Sequence, residues 1–365
     1  MDISLDASIR KKLNKTKALA FTKRYTIVFI FSAIFLLSFC VWFIYPLFSG
    51  LYISLTNYKM LSPGAAKFNN FRWFNYILNP NYKYNGFSTA KYFESFWRAF
   101  GNTMIFAIIM VPIAIIVPLG LAILINSKPI GFKFFRACVY LPSIVPLSAS
   151  GAIFTMLFAG KNLSGIFSTF LPGFGPDNWL VETMFSFSIG SVKFIVPWAW
   201  IPIFLMCFWG GWGGNFIILC AGLQNVSKPL MEASQMDGCN RWGSIRNVVI
   251  PAIKPQLVLC LFTTIIGYMG LYGQNYVLTS GGPVFPGLSA LPASGQTSTL
   301  SYFIQDIAAN NVDFRANMYG LAAAASIVVS LIVGCITAIQ MYCTRDKKKS
   351  KGYTARFNEW KEGRI

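Results

Sequence analysis

The chain has 365 residues, 55% of them hydrophobic and only 12% charged, with a net charge of +19 and a mean hydropathy of +0.53. A water-soluble domain carries about a quarter charged residues, so an ordinary soluble enzyme is excluded, as are a disordered tail and a collagen-like fibre. An aromatic content of 16%, with 34 Phe, suits a chain solvated partly by lipid.

In chain order, residues 1–24 form a basic segment with seven Lys and Arg. The first apolar run begins only after Lys23 and Arg24, outlasts a signal-peptide core and has no Ala-x-Ala cleavage site, so it is expected to stay as a membrane anchor. Six charge-free windows exceed the roughly 20 residues a helix needs to cross a bilayer. Within them spans are predicted at 27–50, 102–125, 137–159, 195–220, 256–278 and 317–342, an all-α integral membrane domain of six helices over 25–344. Residues 57–98 form an aromatic loop carrying Trp73, Phe74, Tyr76, Tyr82, Tyr84, Tyr92, Phe93 and Trp97. It is too aromatic to be disordered and is expected to fold on the outer face, against a partner protein or the membrane interface. Residues 183–192 are too short to span and are predicted to lie at the interface. The stretch 281–305, rich in Gly, Pro and Ser, reads as a loop, and the tail 345–365 with Lys347, Lys348 and Lys349 as an orientation signal near anionic headgroups.

Charge position explains the basic balance. Segments 1–24, 126–136, 225–256 and 345–365 hold 22 of the 31 Lys and Arg, and an even number of spans puts all four on one side. The positive-inside rule makes that side the cytoplasm, with both termini there, in a bacterial cytoplasmic membrane. The basic character is then topological, and nucleic acid is not an expected partner. The chain has no His, and its eight Cys form no CxxC pair, so no metal site or disulfide framework is expected and the cysteines read as buried free thiols. Pro112, Pro118, Pro142, Pro146, Pro197 and Pro202, with Gly210, Gly211, Gly213 and Gly214, interrupt spans 2 to 4. Such breaks are tolerated where protein or a water-filled cavity satisfies the freed backbone groups, as in transporters; close helix packing through small residues is the competing reading.

The most informative segment, 225–255, lies between spans 4 and 5. Pro229 precedes a helix-forming stretch, Gly238 interrupts it, and Pro251 and Pro255 end a second short helix, which predicts a helix–Gly–helix knob. The competing reading is an amphipathic loop on lipid headgroups, which would favour Lys and Arg over the Glu and Asp found here. Glu232, Ala233 and Ser234, then Asp237 and Gly238, then Val248, Ile250 and Pro251 fall in register with the EAA signature, in which Gly follows E-A-A after three residues and Ile-x-Leu-Pro follows nine later. The departures are Ala to Ser, Ile to Val and Leu to Ile. Ala221-Gly-Leu-Gln224, Lys228-Pro229, Thr279-Ser-Gly-Gly-Pro283, Tyr45-Pro46 and Ser54-Leu-Thr56 also match the carbohydrate-uptake branch. The chain thus resembles the permease subunits of ATP-binding-cassette importers of the maltose and oligosaccharide type over most of 25–344.

That resemblance implies a type I importer transmembrane domain whose 225–255 loop docks on an ATPase subunit, with Glu232 pairing to a basic residue there. It also implies a second, non-identical permease, an extracytoplasmic solute-binding protein and a sugar as cargo. No G-x-x-x-x-G-K-[ST] run is present to cradle ATP phosphates, and the predicted spans contain no Asp, Glu or His to relay protons. No catalytic constellation and no bound cofactor are therefore expected; ATP and Mg would be used by the partner ATPase. For the solute path the candidates are Tyr268, Tyr272 and Asn275, spaced i, i+4, i+7 on one helical face, with Gln274 beside them and Trp209 and Asn215 from span 4. Aromatic faces and amide groups are what a sugar needs; interfacial anchoring and helix–helix hydrogen bonds are the competing reading. An importer of another polar solute, such as a sugar phosphate or polyol, is the alternative within the class, and a secondary carrier the one outside it.

Overall fold

The computed structural model describes residues 26, 29, 31–59, 66–127, 129–160, 165–170, 175–189, 192–283, 295–309 and 318–344. The basic segment 1–24 and the tail 345–365 with its three consecutive lysines lie outside the described residues, as do 284–294. Helix α1 (Phe31–Leu55) carries one π turn at Cys40–Ile44, immediately before Pro46. Pro46 has no N–H for the Trp42 carbonyl, and the Tyr45 N–H reaches back to Cys40 O instead. Helix α2 (Arg72–Leu78) and a hairpin of β1 (Lys83–Tyr84) and β2 (Phe87–Ser88) follow, turned at Asn85 and Gly86 with φ of 49° and 82°. Next come α3 (Ala90–Asn126), α4 (Phe132–Tyr140), a 3-10 turn at Leu141–Ile144, α5 (Leu147–Phe158) and α6 (Ile166–Phe170). A second antiparallel hairpin pairs β3 (Thr183–Ile189) with β4 (Val192–Pro197). The remainder is helical: α7 (Trp200–Gly211), α8 (Gly213–Gln224), α9 (Lys228–Met236), α10 (Arg241–Ala252), α11 (Lys254–Met269), α12 (Gly273–Thr279), α13 (Leu300–Ala309) and α14 (Tyr319–Thr344).

Four stretches, α1, α3, Trp200–Gln224 and α14, are long and apolar enough to cross a membrane. Two bent pairs bring the number to six when each counts as one span. Phe31, Phe35, Trp42, Phe43 and Phe48 on α1 are all exposed, and the most apolar window of that helix has no buried residue. The second half of α1 packs on α14 and buries Ser54; the exposed apolar remainder can be solvated only by lipid or another membrane chain.

The 37-residue α3 is the spine, about 55 Å long at 1.5 Å per residue. Three cores are strung along it. Phe96 and Ala99 enter an outer core with Trp73 and Ile77 of α2, Phe303 and Ile307 of α13, and Leu321 of α14. Phe106 and Met110 enter a middle core with Phe154 of α5, Ile203 and Met206 of α7, and Leu278 of α12. Ala122 and Ile125 enter a third with Phe216 and Leu219 of α8, Val249 of α10, Ile253 and Cys260. The first of these cores brings together rings of α2, α3 and α13. The other two lie along apolar spans and rest on close packing.

The outer subdomain closes on its own aromatics. Trp73 Nε1 donates to Thr56 O at 3.0 Å, Trp97 Nε1 to Ile77 O at 2.9 Å, and Arg72 lies 4.1 Å over the Trp73 ring and 4.4 Å over Tyr84. Tyr76 is ringed by Trp73, Tyr82, Tyr84 and Tyr92. Burial pushes its phenol up to about 12 against the opposing pull of Arg72, so it serves as a neutral packing group.

Several boundaries differ from the sequence expectation, each for a local reason. The first span was expected to end at residue 50, but α1 runs to Leu55. The second starts at Ala90 rather than 102, because its first three turns belong to the outer core and carry the buried Arg98 beside Glu94 at 3.8 Å. The third span, expected over 137–159 with interruptions at Pro142 and Pro146, is two helices bent by 91°, since the prolines break the ladder and Val145, preceding a proline, is extended. Residues 183–192 are mostly strand, with alternate Phe185 and Phe187 on β3 rather than a helix-period face. The fourth span begins at Trp200 instead of 195, because β4 occupies the preceding residues. The end of the 281–305 stretch is helical from Leu300, where Leu300, Phe303 and Ile307 repeat at helical spacing and pack into the outer core. Of the cysteines, Cys207, Cys220 and Cys260 are buried, whereas Cys40, Cys138, Cys335 and Cys343 are exposed.

Cysteine reporters test the orientation inferred from charge. Ser88 and Asn247 are both exposed. In a background freed of native cysteines, Ser88→Cys should label with a membrane-impermeant maleimide only from outside, and Asn247→Cys only after the membrane is opened. Outside labelling at Asn247→Cys would overturn the orientation.

Candidate functional site

The 225–255 segment folds as two short helices at an angle, built by local signals. Pro229 occupies the first turn of α9, where its missing N–H costs nothing. The helix ends in a glycine turn: Asp237 N donates to Ala233 O at 3.0 Å, Gly238 N to Gln235 O at 3.1 Å, and Cys239 N to Ser234 O at 3.0 Å. Gly238 has φ of +79°, a conformation that only glycine adopts cheaply. Asn240 then caps α10, its Oδ1 accepting from Gly243 N at 2.7 Å.

Glu232, Ala233, Asp237 and Gly238 are exposed on this knob, and Ser234 is buried. Glu232 borders a shallow cavity of about 200 Å³, lined also by Asn126, Leu223, Val226, Met231 and Val249. Ile250 and Pro251 lie at the far end of α10, where Val249 and Ile253 root the knob in the third core. A projection presenting Glu232 and Asp237, anchored in the third core, is thereby offered to whatever lies beyond. Sequence reasoning missed two residues of the same face. Met236 and Trp242 are 88% and 71% exposed, large apolar groups standing free on a polar loop. Their signal was visible as isolated apolar residues at positions outside the helical stripe. Such exposed aromatics anchor interfaces, so Trp242→Ala should weaken ATPase-subunit binding by roughly 10-fold or more, measured by co-purification or titration, with the melting temperature of the isolated chain unchanged.

The solute-path candidates do not share one helical face. Helix α11 stops at Met269, Gly270 caps it, and Tyr272 has φ of −134° and ψ of −56° before α12 begins. The i, i+4, i+7 argument therefore fails at the break. Tyr268 sits with its ring 5.3 Å from Phe106, edge to face, in the middle core. Tyr272 stacks on Tyr276 at 5.4 Å and Tyr302 at 6.1 Å, forming an aromatic group whose last two members the sequence reading did not single out. Gln274 is half-buried on α12. Trp209 is half-buried at 6.0 Å from Phe154. Asn215 is buried, and its Nδ2 donates to Ala114 O at 2.9 Å and Thr264 Oγ1 at 2.8 Å, tying α8 to α3 and α11.

Asn275 is fully buried, and its amide is consumed by protein. Its Nδ2 donates to Thr297 O, while its Oδ1 accepts from Thr279 Oγ1 at 3.0 Å and Thr297 Oγ1 at 2.9 Å. The partner is a non-helical strap, 296–299, which opens in a turn closed by Ser298 N on Gly295 O at 3.2 Å and is buried throughout. Asn102 Nδ2 of α3 holds the same strap from the other side, donating to Gln296 O at 3.0 Å and Ser298 O at 2.9 Å. Non-helical backbone at this depth persists because protein amides satisfy its carbonyls. The Gly-Gly pair before it has φ of 90° and 88°; a Cβ at Gly281 would meet the Tyr302 ring at 2.6 Å, and one at Gly282 Thr297 Oγ1 at 2.4 Å. Among the described residues, no three His, Cys, Asp or Glu side chains are grouped to hold a metal.

Residues 84–349 match the family described as binding-protein-dependent transport system inner membrane component. The lactose transport system permease protein of Rhizobium radiobacter is 30% identical over 69% of this chain and 77% of its own length. The arabinooligosaccharides transport system permease protein of Bacillus subtilis is 28% identical over 83% of this chain and 86% of its own. Among solved structures, a bacterial ABC transporter involved in import of the acidic polysaccharide alginate superposes with a TM-score of 0.65 at 17% identity, covering 90% of this chain and all of that one, and so shares the fold. With the EAA-like knob rooted in a bundle of that fold, the chain belongs to the family of binding-protein-dependent transport system inner membrane components, multi-pass membrane permeases.

Proposed function

We propose that this chain is one of two permease subunits of an ATP-driven importer that carries a sugar or oligosaccharide delivered by an external solute-binding protein. The observation that carries the reading is the exposed helix–Gly–helix knob presenting Glu232, rooted through Val249 and Ile253 in the span core of a chain of this family. The named cargoes of its relatives, lactose and arabinooligosaccharides among them, support a carbohydrate. ATP hydrolysis resides in separate ATPase subunits that use Mg and ATP, and this chain binds no cofactor. Closure of the ATPases moves the docked 232–250 segment. Because α10 is continuous with the third core, that displacement reaches α3, α8 and α11 and turns the cavity from inward to outward.

Reconstitution with the permease, ATPase and binding protein encoded alongside tests this. Proteoliposomes should accumulate a labelled di- to pentasaccharide only with hydrolysable ATP inside and binding protein outside. Accumulation of sugar phosphates or polyols instead would shift the cargo class. Uptake that persists without ATP would overturn the importer reading in favour of a secondary carrier.

A further inference from the structure

The two arms of the knob are joined by a hydrogen-bonded pair of hydroxyls. Ser234 on α9 and Ser244 on α10 are 7% and 0% exposed, and their Oγ atoms lie 2.8 Å apart. Ser234 Oγ also lies 2.7 Å from Met231 O, to which it donates. A serine hydroxyl has one hydrogen. With that of Ser234 committed to Met231 O, Ser244 must be the donor in the pair. The wire therefore runs one way, from Ser244 through Ser234 to the Met231 carbonyl, one residue before Glu232. The arms are also joined by the Gly238 turn, where nothing stands within 4 Å of a built Cβ to brace it, and by the third core, on which Met231 and Val249 both pack. The EAA pattern has Ala at position 234, so the hydroxyl is a departure that this chain uses.

We infer that Ser234 and Ser244 are positioning residues: the hydroxyl clip fixes the angle between α9 and α10, and so the presentation of Glu232, letting motion of a docked ATPase reach the spans instead of being absorbed at Gly238. This rests on the importer reading. Direction of the wire makes the two serines unequal. Ser244→Ala removes a donor but leaves Ser234 bonded to Met231 O. Ser234→Ala strands the Ser244 hydroxyl in a site with no exposure, where an unpaired polar group is costly.

The measurement is sugar accumulated per ATP hydrolysed by the full reconstituted complex, alongside amide hydrogen exchange of α9. Ser234→Ala should cut uptake per ATP at least threefold and Ser244→Ala by less, with exchange across α9 speeded about tenfold and assembly with the ATPase retained. A covalent substitute gives the rescue arm. In a Cys239→Ser background, Ser234→Cys/Ser244→Cys places two sulfurs where the oxygens are already in contact, within reach of a disulfide after a small rotation. Oxidised, this variant should return to within about 1.5-fold of wild-type coupling; reduced, it should resemble Ser234→Ala. Uptake per ATP that is unchanged in Ser234→Ala, or indifferent to oxidation of the cysteine pair, would reduce the clip to local packing and overturn the proposal. A wild-type complex with no ATP-driven uptake would remove the importer reading and the clip with it, whereas a coupled wild type with coupled variants removes the clip alone.

Discussion

Glu232→Lys should abolish ATP-driven uptake while the chain still inserts and folds. Glu232 is exposed on the knob, so the substitution disturbs no core. Its effect falls on the docked state, where a Lys would face the basic partner expected for the Glu. Truncating or reversing one member of a desolvated interfacial charge pair costs about 2–5 kcal/mol, so uptake should fall on the order of 100-fold. Gly238→Pro should be equally severe by another route. Proline fixes φ near −65° against the +79° found, and it removes the N–H that bonds Gln235 O. Gly238→Ala separates conformation from volume: no atom stands near its Cβ, so only the left-handed backbone is penalised, by about 1–2 kcal/mol. It should retain part of the uptake that the proline variant loses. Normal transport-coupled ATPase activity in the Glu232→Lys complex would sink the docking role.

The knob was legible because everything that shapes it is local. Pro229, Gly238 and Asn240 each act on their own turn through the loss of a donor, a positive φ or a side-chain cap, and such signals need no knowledge of the rest of the chain. Span 3 obeys the same local logic: Pro142 and Pro146 mark the interruption, and the bend of 91° lies there. The solute path is the opposite case. Tyr268, Tyr272 and Asn275 have helical spacing, yet Gly270 ends the helix between them, and the three glycines of that run, at 267, 270 and 273, give little local sign of which will. What fixes the break lies far away in sequence: Thr299 Oγ1 donates to Leu271 O at 2.6 Å and Ser301 Oγ to Met269 O at 3.2 Å, so the carbonyls freed at the end of α11 are taken up by residues about thirty positions later. No periodicity within 256–278 encodes those partners. The same holds for Asn102 and Asn215, whose amides are spent on backbone carbonyls far away in sequence, those of the 296–299 strap and of α3.

That buried network sets the expected result for Asn275. Asn275→Ala should lower the melting temperature of the complex by several degrees and leave the uptake KM for sugar unchanged. The side chain fills a site with no exposure and satisfies three groups, the Thr297 carbonyl and the Thr279 and Thr297 hydroxyls. Removing it strands a fully buried carbonyl; at about 1–3 kcal/mol for each buried orphan, a loss of about 2–3 kcal/mol follows. Thr279→Val provides the milder partner, since it removes one hydroxyl and leaves Nδ2 of Asn275 on the strap. If the two sites share one network, the double variant should be less destabilised than the sum of the singles. Tyr272→Ala is the contrasting probe: half-buried, with its ring stacked on Tyr276 and Tyr302, it can lose a face without stranding a buried carbonyl. A raised KM with an unchanged melting temperature in Asn275→Ala would return that residue to the solute path and show that the strap opens during transport, freeing the amide for cargo.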